Sequence, residues 1–393
     1  MLYLYYFFAV VACWLGIQSL LGGIRYARYL RRATSAVLPD FKPFVSVIAP
    51  NRGLEPGLAE NIRSLLIQEY PAYEVLFVFD SADDSALELV NEIRAYYPEV
   101  KSKTVIALAA TDSGQKVHNL RAGATVADSD SEVLVFVDSD ARPGKLWLRQ
   151  LVAPLADENI GAATGYRWFV SDQGGFSSQL RGVWNASIAS ALGADRRKNF
   201  CWGGSTAIRR STFAALNMME RWRGSVSDDF TITKVLKEAK LPIHFTPNCL
   251  VASVGDCDFK ELLEFTTRQI KITRVYAPHL WLPLLLGSAI FTIAFFGGLV
   301  LISIHPRSAA AYIFTLIIFA LGAAKSLVRF VAVSDVLKLP PNDLPAHILL
   351  WPFASLLYLY NTIVAAFSRR IKWRGITYEL KSPNEAVIIS REP

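Results

Sequence analysis

The sequence predicts an α/β domain with a parallel, helix-covered sheet, held between membrane segments at both ends of the chain. Three observations carry this. The middle, about Phe44 to Val254, has charges throughout and alternates short apolar strands with helical patterns, which implies a parallel sheet. Long apolar runs stand on either side of it. Basic residues crowd beside those runs: Arg25, Arg28, Arg31 and Arg32 follow the first, and Arg369, Arg370, Lys372 and Arg374 follow the last. Charge so placed is a topology signal and an attraction to anionic headgroups.

The 393 residues are 52% hydrophobic and 19% charged, and that length suggests two or three structural units. A net charge of +7 raises nucleic acid as a partner. No recognition motif accompanies the charge, so nucleic-acid binding is not expected. The four cysteines, Cys13, Cys201, Cys249 and Cys257, lack metal-ligand spacing, and the five histidines form no pair. Reduced, buried thiols and no zinc site are the expectation.

Leu2 to Gly22 matches the ~20 residues that a helix needs to cross a bilayer. A signal peptide is the competing reading, but no basic n-region precedes the run and no clear small-residue cleavage site precedes the arginines. A retained anchor over residues 1–24 is expected, and its flanking arginines place the next domain in the cytoplasm. That domain spans 40–254. Val45 to Ala49 reads as a buried strand and Leu58 to Ile67 as a helix. Glu74 to Phe79 is a second strand and Ser85 to Tyr97 a second helix. Lys103 to Ala107 and Val133 to Val137 add two strands, with Val117 to Ala127 helical between them. An amphipathic interfacial region follows over 255–279, membrane helices over 280–368, and a basic cytosolic tail over 369–393. The membrane part holds three runs, Leu280 to Ile304, Ala309 to Val333 and Leu344 to Phe367. The second contains Lys325 and Arg329, read as snorkelling towards an interface. The third contains Pro352, tolerated if the freed carbonyl finds a partner. Three crossings would put the tail outside; two crossings and a re-entrant or interfacial helix would keep it inside.

Ligands on parallel sheets sit at the carboxyl ends of the strands, and acidic residues stand there. Asp80 ends one strand, and Asp138-Ser139-Asp140 ends another. The carboxylates of Asp138 and Asp140 suit a hard divalent cation, Mg²⁺ or Mn²⁺, which would neutralise a nucleotide diphosphate. The bland alternative for such a triplet is a solvated turn; the buried strand before it and Asp80 nearby favour the functional reading. Asp228-Asp229 precedes a helical stretch from Phe230 to Ala239. It reads both as a helix cap and as a source of the general base that displacement at a sugar C1 needs; Asp229 is the candidate. Arg268 and Lys271 share a helix face at i, i+3, placed either to steady a leaving diphosphate or to rest on headgroups.

Four stretches resemble the ceramide glucosyltransferases and their bacterial relatives, within the GT-A class of inverting glycosyltransferases. Val45-Ser-Val-Ile-Ala-Pro-Asn-Arg-Gly-Leu-Glu-Pro56 is similar to the family's opening strand and nucleotide loop. Tyr73 to Asp84 is similar to the strand that ends in its first aspartate. Gln115-Lys-Val-His-Asn-Leu120 and Val137-Asp-Ser-Asp140 resemble its Lys-x-x-Asn-Leu helix and second aspartate motif. Ser227-Asp-Asp-Phe230 stands where the family has a Glu-Asp pair. Trp373-Arg-Gly-Ile-Thr-Tyr378 resembles a Trp-Arg-Gly-x-x-Tyr motif that follows the membrane segments. The likeness covers about residues 40 to 380. It departs at Arg268-Gln-Ile-Lys-Ile272, where the family has (Gln/Arg)-x-x-Arg-Trp: Lys271 keeps the charge without the guanidinium fork, and Ile272 replaces the ring.

The resemblance implies a GT-A (nucleotide-diphospho-sugar transferase) domain with an N-terminal transmembrane anchor and C-terminal transmembrane or interfacial helices, in a bacterial inner membrane. It implies UDP-glucose or a close UDP-hexose as donor. Asp80 would contact the uracil in a pocket shaped by Pro50, Arg52 and Gly53, with Lys116 and Asn119 also on the donor side. Asp138 and Asp140 would hold the metal. Asp229 would deprotonate the hydroxyl of a ceramide-like membrane lipid for attack with inversion. Two alternatives compete. A processive polysaccharide synthase ordinarily has more spans and an intact Gln-x-x-Arg-Trp. A silent sugar-nucleotide-binding scaffold would not need all three acidic sites.

Overall fold

A computed structural model describes residues 2–392. The chain divides into two compact units. One, the sheet unit, combines 33–168 and 194–253 with the segment from Arg370 onward; the other, the helical unit, combines the N-terminal segment up to Arg32 with 169–193 and 254–369. The expected continuous domain 40–254 is therefore interrupted: residues 169–193, mostly the helix Phe176–Ala189, belong to the helical unit.

The sheet unit carries strands β1 (Val45–Pro50), β2 (Tyr73–Phe79), β3 (Lys101–Ile106), β4 (Val133–Phe136), β5 (Ala162–Val170), β6 (Thr206–Arg209) and β7 (Ile243–Val254). Their order is β3-β2-β1-β4-β6-β5-β7. β1 pairs parallel with β2 on one side and β4 on the other, and β3 extends this half in parallel. β1 and β4 are buried at every position, which is why they read as unbroken apolar runs rather than alternating ones. Beyond β4 the sheet changes direction, with β6 antiparallel to β4 and to β5. The expected parallel sheet is thus one half of a mixed sheet. The reversal of strand order around β1 creates the crevice at the carboxyl ends where such sheets bind ligands.

The segment expected as a basic tail is folded. β8 (Arg370–Trp373), β9 (Ile376–Ser382) and β10 (Glu385–Arg391) form an antiparallel sheet. Trp373 pairs with Ile376 across the two-residue turn Arg374-Gly375, and both turn residues have positive φ, +47° and +72°. That is the geometry hairpin turns of this length favour, and glycine supplies half of it without strain. The basic residues that looked like a membrane flank have partners here: Lys372 pairs with Glu392 at 2.7 Å and Arg370 with Glu379 at 3.9 Å.

In the helical unit, the first helix runs Leu2–Thr34, past the expected end at residue 24, because the arginines that follow Gly22-Gly23 are good helix formers. Phe259–Tyr276 starts on a capping box, with Asp258 accepting from the Glu261 N–H at 2.7 Å and Glu261 accepting from the Asp258 N–H at 2.9 Å. Pro278–Ile304 and Ala309–Leu337 follow. Among the described residues, three helices are long and apolar enough to cross a membrane, and the pair Pro341–Leu349 and Trp351–Phe367, bent by 61°, is either a broken fourth span or a re-entrant loop. The break falls at Leu350, and Pro352 then sits in the first turn of the new helix, the position where its missing N–H costs nothing. Arg329 does not snorkel: it is 2% exposed, turned into the helix bundle.

Candidate active site

The site is assembled from three strand ends. Arg52 follows β1, Asp80 follows β2 and Asp138 lies two residues beyond the end of β4. Register sets them side by side, since Pro50 pairs with Val78 and Ile48 with Phe136. The Arg52 guanidinium lies 3.2 Å from the Asp80 carboxylate. The loop after the buried Pro50 is held by Asp84, whose two carboxylate oxygens each accept from the Gly53 N–H at 3.0 Å.

Around Asp138 the charges interlock. Lys116, near the start of the helix Gln115–Val126, lies 2.5 Å from Asp138 and 3.0 Å from Asp228. Arg167 on β5 spans the acidic triplet, 3.1 Å from Asp138 and 3.0 Å from Asp140, and stacks on Trp202 at 4.8 Å. Burial penalises charge on Asp138, but Lys116 and Arg167 more than offset this and hold its carboxyl below the ordinary carboxylate range. Lys116 is likewise penalised by burial, yet Asp138 and Asp228 keep it charged. Asp228 goes the other way: burial, then repulsion from Asp229 and Asp138, push its carboxyl up to about 6 despite Lys116. Gly203 packs against this cluster so closely that a Cβ there would fall 2.2 Å from Asp228. Only glycine allows that approach.

The acidic pair divides its work at the start of the helix Asp228–Glu238. Asp228 is 4% exposed and locked to Lys116. Asp229 is half-buried, and its Oδ1 accepts from the Phe230 N–H at 2.7 Å and from the Ser227 hydroxyl. Asp229 is thus the more accessible carboxylate, already held in orientation by its own helix terminus.

Asn119, expected on the donor side, is held by hydrogen bonds within the protein. It is 2% exposed, accepts from the Gln115 side chain at 2.8 Å and donates to the Val78 carbonyl at 3.5 Å. It braces the Lys116 helix against β2. The C-terminal sheet braces the same helix at its N-terminus: the Gln115 N–H donates to the Tyr378 hydroxyl at 3.1 Å, and Arg391 donates to the Ala110 carbonyl just before the helix at 2.6 Å. Arg374, at the tip of the β8–β9 turn, donates to the Arg52 carbonyl at 2.8 Å and to Ser139 at 3.2 Å, and pairs with Glu55 at 2.6 Å. Arg374 is therefore no membrane flank: it clamps the loop after β1 to the acidic triplet.

Sequence reading missed Arg167, Trp202 and Gly203, and misplaced Arg374. A lone charge inside the apolar stretch Tyr166-Arg-Trp-Phe169 was the available signal for Arg167. Arg268 and Lys271 lie on Phe259–Tyr276 in the helical unit, where Lys271 donates to Ser368 at 3.2 Å and Arg268 lies over Phe265 at 5.6 Å.

The residues present fit a divalent cation at Asp138 and Asp140. The Oδ1 of Asp140 is buried without a hydrogen-bond partner, an unsatisfied oxygen that a cation would satisfy. Among the described residues no cluster of three or more His, Cys, Asp or Glu could hold a metal by itself. A pair of carboxylates can hold such a cation when substrate phosphates and water complete its coordination.

Known proteins agree with this architecture. A mannosyltransferase from Pyrobaculum calidifontis, solved in complex with GDP-Man and Mn²⁺, superimposes with a TM-score of 0.50 at 17% identity, over 91% of this chain and 97% of that one. At that identity the likeness concerns the GT-A fold. Ceramide glucosyltransferase 3 of Caenorhabditis elegans is 37% identical over 78 residues, 20% of this chain and 17% of that protein. Ceramide glucosyltransferase 1 of the same organism is 22% identical over 249 residues, 61% of this chain and 51% of that protein. The chain thus spans about half the length, or less, of these relatives. The model of glycosyl transferase family 21 matches residues 4–386, nearly the whole sequence, and the chain belongs to that family.

Proposed function

We propose that the protein transfers a hexose, glucose from UDP-glucose, to the hydroxyl of a ceramide-like membrane lipid with inversion. The observation that supports this most is the set of charges at the strand ends, where Arg52 pairs with Asp80 and Lys116 pairs with Asp138 and Asp228, with Asp229 next to Asp228 in the chain. Asp80 and Arg52, with the Pro50–Gly53 loop, form the uracil side. Lys116 and Arg167 lie where a diphosphate would bring negative charge, and they are preorganised by burial. Asp138 and Asp140 would hold Mg²⁺ or Mn²⁺, which would supply positive charge against the leaving diphosphate. Asp229 accepts the proton of the lipid hydroxyl as its oxygen bonds to C1 and UDP departs. Arg268 and Lys271 are assigned, within the same proposal, to steadying that diphosphate. Membrane-crossing helices give a reason for a lipid acceptor: they keep its tails in the bilayer during the reaction.

The test is transfer of radiolabelled sugar from UDP-glucose into extracted lipid, using membranes with and without the protein. A labelled lipid that depends on both protein and divalent metal supports the proposal, and its mass identifies the acceptor. A high-mass labelled product instead of lipid would replace it with polymer synthesis. Absence of transfer from any UDP-sugar, with donor binding retained, would reduce the protein to a binding scaffold.

A further inference from the structure

The helical unit holds a partly open cavity that the proposed sugar transfer leaves unused. Its walls come from the helices Leu2–Thr34, Phe176–Ala189, Pro278–Ile304, Ala309–Leu337 and Trp351–Phe367. Its volume is about 90 Å³, well above the ~10–15 Å³ that one water requires on the same scale. Lys325 and Arg329, one helical turn apart, both line it, together with the hydroxyl-bearing Ser19, Ser187 and Ser355. Arg329 is 2% exposed, and its bonds are meagre: Nη1 donates to Ser187 and Ser190 at 3.4 and 3.5 Å, and Nε is buried with no partner. No acidic side chain lines the cavity among the described residues.

A buried cation without a counterion loses its hydration and recovers little in exchange. Two of them at i, i+4 also repel each other. Inside a bundle of membrane-crossing helices this arrangement is costly, and cations so placed mark a ligand site. Guanidinium, ammonium and hydroxyl groups converge as donors, and a phosphate oxyanion is the chemistry that satisfies all of them. Phe291 and Leu321 stand in the same wall, so one cavity offers donors for a phosphate and apolar surface for the chain attached to it. We propose that the cavity binds the phosphate-bearing headgroup of an anionic membrane lipid.

The test uses the full chain in nanodiscs of neutral phosphatidylcholine, with and without phosphatidylglycerol, reading the thermal unfolding midpoint. Phosphatidylglycerol is expected to raise the midpoint by at least ~2 °C. The rise is expected to vanish in Lys325→Met/Arg329→Met and to persist in Arg307→Gln, a change at an exposed loop arginine outside the cavity. An equal rise in the double variant, or no rise in the wild type, would overturn the proposal. Inorganic phosphate added to neutral nanodiscs separates the two sources of the anion. No shift supports a lipid headgroup, and a shift as large as that from phosphatidylglycerol would assign the cavity to a soluble anion. If the double variant does not fold, Lys325→Met alone carries the same comparison, since it leaves the Arg329–serine bonds in place.

Discussion

Each unit of the protein buries two cations, and they solve the cost of doing so in opposite ways. In the sheet unit, Lys116 and Arg167 are matched by Asp138, Asp140 and Asp228 at 2.5–3.1 Å. In the helical unit, Arg329 makes only long hydrogen bonds to two serine hydroxyls, and among the described residues no acidic side chain lines the cavity that it shares with Lys325. A closed charge cluster is finished by folding itself; it is rigid before any ligand arrives, and its orphaned Asp140 oxygen leaves room for one more cation. An open cluster is finished only by an anion from outside. The charge balance of a buried site therefore says what is missing from it, a cation in the first case and an anion in the second.

The largest expected effect comes from the one acid that stays outside the closed cluster. Asp229→Asn keeps the helix terminus, because an amide oxygen still accepts from the Phe230 N–H, but it removes the proposed base. Turnover should fall by ~10²–10⁴-fold with donor affinity nearly unchanged, measured by labelled-sugar transfer alongside donor titration. Near-normal turnover would exclude Asp229 as the base. Next is the centre of the cluster. Lys116→Met leaves Asp138 and Asp228 facing each other without their shared counterion, at a cost of about 3–5 kcal/mol in stability. Chemical or thermal unfolding reads this directly. Adding Asp228→Asn should restore much of it by removing one of the two charges; no restoration would mean that the ion pairs are not what holds these elements together.

Arg374 tests whether the C-terminal sheet belongs to the donor site. Losing a hydrogen bond from a charged donor costs ~1.5–3 kcal/mol, so Arg374→Gln should raise the donor KM by roughly tenfold or more while leaving the sheet folded. A change in stability alone, with KM intact, would make the turn a structural contact only.

These residues also mark the limits of what the sequence made legible. β1, β2 and β4 were readable because strands covered on both faces are uninterrupted apolar runs, and the acids at their ends stand out as abrupt polar stops. Asp80, Asp138 and Asp140 became site candidates in this way. Arg167 was not, since β5 joins the sheet antiparallel through pairing with β6, a partner distant in sequence that no local pattern announces. The C-terminal strands were taken for a tail for a related reason. Their basic residues satisfy a membrane-flank pattern, whereas the contacts that define them, Arg374 to Arg52 and Tyr378 to Gln115, join residues 322 and 263 positions apart. Asn119 was read as donor-side because its motif is local, while its hydrogen bonds to Gln115 and Val78 become visible only when the helix lies on the sheet.

The smallest effect concerns the cost of closing the cluster. The Asp228 carboxyl is pushed up to about 6, above the ordinary aspartate value near 4 that it regains on unfolding. The folded state therefore binds a proton more tightly than the unfolded state does. Its stabilising contribution is full below about pH 4 and is lost as the pH rises through about 6. Asp228→Asn cannot release that proton, so the wild type should lose stability relative to the variant across this interval, and the two curves should run parallel above it. Unfolding midpoints measured at half-unit pH steps, with Lys116 still paired to Asp138 in both proteins, provide the comparison. If the curves are parallel throughout, Asp228 is no more costly to ionise than a surface carboxylate. The closed cluster would then be free of the tension that its three crowded acids imply.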